Sequence, residues 1–119
     1  MTESGTIETV VRGYVEGMVF ADEARLRQAF HPSCAIVGHM NGKLAWLSVD
    51  DFVEICRQAG PAPVGEPMEW DIQSADVTGD IAVVKVADTV HGMNFTDYLT
   101  LIREDGGWRI VHKGYFRHP

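Results

Sequence analysis

The chain has little of what usually announces a function class. Only two of its 119 residues are cysteines, Cys34 and Cys56, and they form no CxxC pair. Each lies among apolar neighbours, so free thiols used as small core hydrophobes are expected rather than a disulfide or a reactive thiol. The five histidines show no HxH, HxxxH or HExxH spacing, and no metal site is expected. No GxGxxG or Walker-type glycine run occurs, which removes the argument for a phosphate cradle, and no cofactor is expected. Positive charge is scarce too: 10 Lys and Arg against 17 Asp and Glu leave a net charge of −7. An acidic surface repels phosphate backbones and anionic lipid, so neither a nucleic acid nor a membrane is an expected partner. Met1 to Thr6 carry no Arg or Lys and no long apolar run follows, so neither a signal peptide nor a membrane span is expected, and the expected location is cytoplasmic.

What is present is patterning. With 45% hydrophobic residues, a chain of this length can build one core, and a single domain over 1–119 is expected. Ile7, Val10, Val11, Tyr14, Val15, Met18 and Val19 recur at steps of three and four, which predicts an amphipathic helix over Thr6 to Phe20. Asp22 is placed to cap a shorter helix that buries Leu26, Ala29 and Phe30 and stops before Pro32. Ala35 to Val37 predicts a short strand, Met40-Asn41-Gly42-Lys43 a turn, and Leu44 to Leu47 a returning strand. Ser48 and Asp51 form a capping box ahead of a helix with Phe52, Ile55, Cys56 and Ala59 on one face. Gly60 to Pro67 is a loop, and the rest is strand-like: Trp70 to Val77, Ile81 to Met93, Phe95 to Ile102 and Trp108 to Tyr115. Helices first and a meander of strands later indicate an α+β fold.

Period two divides those strands into faces. Ala82, Val84, Val86, Asp88 and Val90 share the apolar side, and so do Phe95, Asp97, Leu99 and Leu101. In the last strand Trp108, Ile110, His112 and Gly114 alternate with Arg109, Val111, Lys113 and Tyr115, which places His112 with the apolar set. If the final hairpin begins its ladder at Arg103 and Trp108, Leu99 faces His112 and Asp97 lies on the diagonal; a bulge at Gly106-Gly107 shifts this by one.

These residues, and above all FHPSCAIVGH (Phe30 to His39), FTDYLTLI (Phe95 to Ile102) and GGWRIVHKGYF (Gly106 to Phe116), resemble the nuclear transport factor 2-like superfamily and its lumazine-binding, SnoaL-like branch. The resemblance implies a cone-shaped roll, with helices packed on a strongly curved antiparallel or mixed sheet around a cavity, and a homodimer through the sheet. It also implies that Tyr14 echoes the helical tyrosine oxyanion donor of ketosteroid isomerases. Their base aspartate has no counterpart among Ile36, Val37 and Gly38, and His112 replaces the asparagine common in the branch.

The chemical candidates are His112, Asp97 and Tyr14. His112 pairs with Asp97 or Asp88 as a proton-transfer group, or Asp97 is itself the base, while Tyr14 polarises an oxygen. Tyr14, Met18, His31, Phe52, Asp88, Phe95, Asp97 and His112 are the expected pocket residues, with Trp46 and Trp70 as further aromatic candidates and His39 and His91 at the rim. The leading expectation is a protein that binds a small apolar or aromatic ligand. The alternatives are an isomerase or dehydratase using acid and base groups, and a non-catalytic dimer whose sheet face carries Ile81, Val83, Ala87, Thr96, Tyr98, Val111 and Tyr115.

Overall fold

The computed structural model describes residues 3–66 and 68–119, with side chains from Ile7 onward; Met1, Thr2 and Pro67, which enter the expectations above, lie outside them. Helices α1 (Glu3–Val19) and α2 (Glu23–Ala29) lead into strands β1 (Phe30–Met40) and β2 (Lys43–Leu47). Helix α3 (Val49–Ala59) then precedes β3 (Glu69–Thr78), β4 (Ile81–Val90), β5 (Met93–Glu104) and β6 (Gly107–Arg117). The strands form one curved, open mixed sheet in the order β2-β1-β6-β5-β4-β3. Among the described residues only β1 and β6 run parallel, which sets the two halves of the sheet side by side.

Local chemistry explains the element ends. Asp22 accepts a hydrogen bond from the Arg25 backbone N–H, and the Ser48–Asp51 capping box closes in both directions. Asn41-Gly42, His91-Gly92 and Asp105-Gly106 each hold two successive residues at positive φ, the twist that tight hairpins require. The His91-Gly92 turn divides the expected run from Ile81 to Met93 into the end of β4 and the start of β5. β1 is also longer than the short strand predicted. Pro32 is accommodated because the β1–β6 register breaks between Phe30 and Ala35, where no ladder hydrogen bond is required.

The core lies between the helices and the concave face of the sheet. Val11, Tyr14, Val15 and Leu26 from the helices pack with Val84, Val86, Leu99, Leu101 and Ile110. Two glycines permit close approach. A Cβ on Gly17 would stand 2.8 Å from Leu26 Cγ, and one on Gly38 would stand 2.6 Å from the Tyr115 carbonyl oxygen and 2.7 Å from its ring. Gly38 therefore lets the Tyr115 ring lie across β1 inside the roll.

Candidate functional site

β6 contains the feature that arranges the site. Its ladder with β5 begins as expected, with Arg103 opposite Trp108, Ile102 opposite Arg109 and Leu101 opposite Ile110. The next pair is Thr100 with His112, so Val111 is an extra residue, and Leu99 then faces Lys113 and Asp97 faces Tyr115. A one-residue bulge exchanges the two faces of everything beyond it. His112 is consequently exposed, Lys113 is 4% exposed, and the expectation that His112 faces inward beside Asp97 is corrected. Tyr115, expected on the outer face, turns inward for the same reason. The bulge lies at Val111, four residues beyond the Gly-Gly step.

His112→Asn should accordingly shift stability by less than about 0.5 kcal/mol, as for an ordinary surface change. Thermal melts and ligand titrations of the two proteins should superimpose.

Asp88 and Asp97 occupy the interior as their strand parity predicts, at 4% and 0% exposure. Tyr14 donates its phenolic hydrogen to Asp97 Oδ2 at 2.6 Å. Asp97 Oδ1 and both Asp88 oxygens have no hydrogen-bond partner at normal geometry. Burial first, and then the adjacent Asp97 carboxylate, pushes the Asp88 carboxyl up to about 9, against the downward pull of the Lys113 ammonium. Asp88 is thus a neutral acid at neutral pH, with a hydrogen to offer its neighbour. Burial, reinforced by the charge of Asp97 and, at the high pH where Asp88 has ionised, by that of Asp88, also holds the Tyr14 phenol well above its ordinary value.

Lys113 joins this cluster to a cavity. Its Nζ lies 4.3 Å from the Phe52 ring centroid, 4.7 Å from that of Tyr14 and 5.5 Å from that of Tyr115. Three aromatic faces around one ammonium form a cation–π cage. Among the described residues Lys113 makes no ion pair, although its field reaches Asp88, Cys34 and Cys56. The cavity it borders holds about 230 Å³ and is walled by Met18, Ile36, Met40, Leu47, Phe52, Cys56, Phe95 and Tyr115, with Ala45, Ile55 and Ala59 at its margin. Lys113, Tyr115 and His91 are the lining residues whose side chains carry nitrogen or oxygen.

Of the expected pocket residues, Met18, Phe52 and Phe95 line this space, whereas Tyr14, Asp88 and Asp97 form the buried cluster beside it. His31 stands elsewhere, its Nδ1 accepting the Ser33 backbone N–H at 3.0 Å. Arg109 caps the end of α2 by donating to the Arg27 and Phe30 carbonyl oxygens. His91 is at the rim, 3.1 Å from the Gly60 carbonyl oxygen, whereas His39 and Trp46 are exposed and do not line the cavity. Cys34 and Cys56 are free and buried, and burial pushes their thiols up to about 12 and about 11, so neither is an activated nucleophile. Among the described residues no cluster has the composition of a metal site, and no helix is long and apolar enough to cross a membrane.

Residues 2–116 match the family described as "Putative lumazine-binding". The chain belongs to that family. Its fold is that of the nuclear transport factor 2-like, SnoaL-like superfamily. Within this family setting, the chain is similar in structure to an NTF-2 like protein of unknown function from Silicibacter pomeroyi. The TM-score is 0.91 at 36% identity, covering 99% of this chain and 100% of that one. An NTF2-like protein of unknown function from Shewanella baltica follows with a TM-score of 0.88 at 28% identity, covering 98% and 94%. Among curated proteins, the chain is 27% identical over 108 residues to "Aldolase FrzH" of a Cladobotryum species, covering 89% of this chain and 84% of that protein.

Proposed function

We propose that the cavity binds a small, mostly apolar metabolite bearing a carbonyl group, and that the protein promotes proton transfer next to that carbonyl. This chemistry is common to aldol addition and cleavage, isomerisation and dehydration. The observation that carries the reading is Lys113, a buried ammonium without an ion pair among the described residues, at the wall of an otherwise apolar cavity. A cation fixed in a dry site stabilises negative charge developing on a carbonyl oxygen far better than one in water. Tyr115, whose side chain ends in a phenol, lines the same cavity. The similarity to a protein named an aldolase supports carbonyl chemistry.

Volume and lining restrict the ligand. A space of about 230 Å³ is smaller than the roughly 300–1,000 Å³ typical of drug-sized ligands. A lumazine-like heterocycle would bring several hydrogen-bonding edges against Met, Ile, Leu and Phe walls, where unpaired polar groups are costly. An anionic ligand gains from Lys113 but meets the two carboxyl groups behind it and a chain of net charge −7.

Matched ligands test this reading. Acetophenone should bind about tenfold more tightly than ethylbenzene, a difference of about 1.4 kcal/mol. Lys113→Met should remove most of that preference while retaining the hydrocarbon, as read by competitive titration. Benzoate binding more tightly than acetophenone would replace the carbonyl reading with an anion site. Equal binding of acetophenone and ethylbenzene to the unaltered protein would sink the reading altogether.

A further inference from the structure

From the cage and the cavity together, we propose that Lys113 acts covalently: its Nζ adds to the carbonyl carbon of the ligand and forms an iminium. This rests on the carbonyl-ligand reading above and extends it from electrostatic assistance to bond formation. Lysines that form imines are held by apolar surroundings and reach their substrate from a flexible stem. Lys113 meets both conditions, since it is 4% exposed yet borders the open cavity. It also lacks the close carboxylate that would hold its hydrogens in an ion pair. Lys43 and Lys85, the other two lysines, do not line this cavity.

The cage supplies a reason for the position. When an ammonium and a carbonyl condense, two of the three Nζ hydrogens leave with the carbonyl oxygen as water, and the third remains on nitrogen. The nitrogen pair freed by the first deprotonation makes the C–N bond, and the C–O electrons depart with oxygen. One positive charge is present before and after, so the rings of Phe52, Tyr14 and Tyr115 at 4.3, 4.7 and 5.5 Å face a cation at both stages. The iminium then accepts the electron pair of a breaking C–H bond on the neighbouring carbon, and the proton passes to the water just released. Enamine formation of this kind is the electron sink that aldol chemistry and α-proton exchange require.

The Val111 bulge is what makes this wall reactive, because an unbroken ladder would turn Lys113 outward and leave His112 in its place. Asp88, Asp97 and Tyr14 stand behind the amine as a hydrogen-bonding cluster that does not line the cavity.

The test is reductive trapping on the full-length protein. Benzaldehyde with sodium cyanoborohydride should attach one benzyl group at Lys113, located by peptide mapping. The adduct should form at least about tenfold faster than those at Lys43 and Lys85, the advantage of a pre-bound carbonyl over a solution encounter. Lys113→Arg keeps a cation in the cage but cannot form the iminium, and should lose this adduct while still binding acetophenone. Benzaldehyde that raises the melting temperature but labels only Lys43, Lys85 or the chain's amino terminus would overturn the covalent step and leave the binding reading intact. Neither stabilisation nor Lys113 labelling would overturn both.

Discussion

Tyr14→Phe should lower the stability of the fold by about 2–3 kcal/mol, the cost of removing a buried hydrogen bond to a charged group, and should lower its melting temperature by roughly 10 °C. The ring remains, so the packing against Phe30, at 5.5 Å between centroids, is retained and cavity formation contributes little. What disappears is the 2.6 Å hydrogen bond to Asp97 Oδ2, the side-chain hydrogen bond found for a carboxylate with no solvent exposure. A carboxylate stripped of its phenolic donor in a dry interior keeps its desolvation cost, with the acid hydrogen of Asp88 left to offset it. Asp97→Asn in the Tyr14→Phe background should recover part of the loss, because the amide has no charge to leave uncompensated. Chemical denaturation of the four proteins of that double-mutant cycle measures the coupling. A loss below about 1 kcal/mol for Tyr14→Phe would mean that Asp88, Lys113 or water takes over the donor's place.

The origin of this pair also shows how much of the site is legible in the sequence. Tyr14 is recognisable because it sits on the helical stripe with Val11, Val15 and Met18, and a stripe must face the core. Asp88 and Asp97 are recognisable because strict alternation in β4 and β5 continues through them, and the surrounding Val, Leu and Phe decide which face is buried. The Asp22 cap and the Ser48–Asp51 box are local and depend on neighbours in sequence alone.

β6 is different. Its alternation starts correctly at Trp108 and Ile110, and a single extra residue at Val111 then inverts it. One signal was available: Trp108 and Ile110 occupy even positions while Tyr115, the next aromatic side chain to turn inward, occupies an odd one. That change of parity is what a bulge produces. It cannot be placed from sequence, because Phe116 on the even register is also aromatic and proves to be exposed. One side of the cavity is tertiary in origin. Ala45 and Leu47 of the edge strand and Ile55, Cys56 and Ala59 of α3 meet only because that helix crosses above β1 and β2. No spacing within either segment announces the meeting. Trp46 illustrates the reverse error, since its aromatic character suggested a lining role while its parity in β2 turns it to solvent.

Asp88→Asn should abolish a loss of stability that the unaltered protein suffers as pH rises. The folded chain holds the Asp88 proton up to about pH 9, whereas the unfolded chain releases it near the ordinary aspartate value of about 4. Between those values unfolding liberates a proton, so each increase in pH favours the unfolded state. The contribution is fully present below about pH 4 and is lost progressively up to about pH 9, with a slope of up to about 1.4 kcal/mol per pH unit. From about pH 5 to about pH 8 the protein should therefore lose up to about 4 kcal/mol relative to Asp88→Asn. The amide is uncharged throughout and keeps an N–H to offer Asp97. Lys113 opposes the effect by favouring the ionised Asp88, and Lys113→Met should consequently carry the loss on to higher pH at the same limiting slope. Denaturation midpoints for the three proteins from about pH 5 to about pH 10 separate the two influences. Parallel curves for the unaltered protein and Asp88→Asn would show that Asp88 ionises normally, and that the buried wall beside Lys113 carries a second negative charge rather than an acid hydrogen.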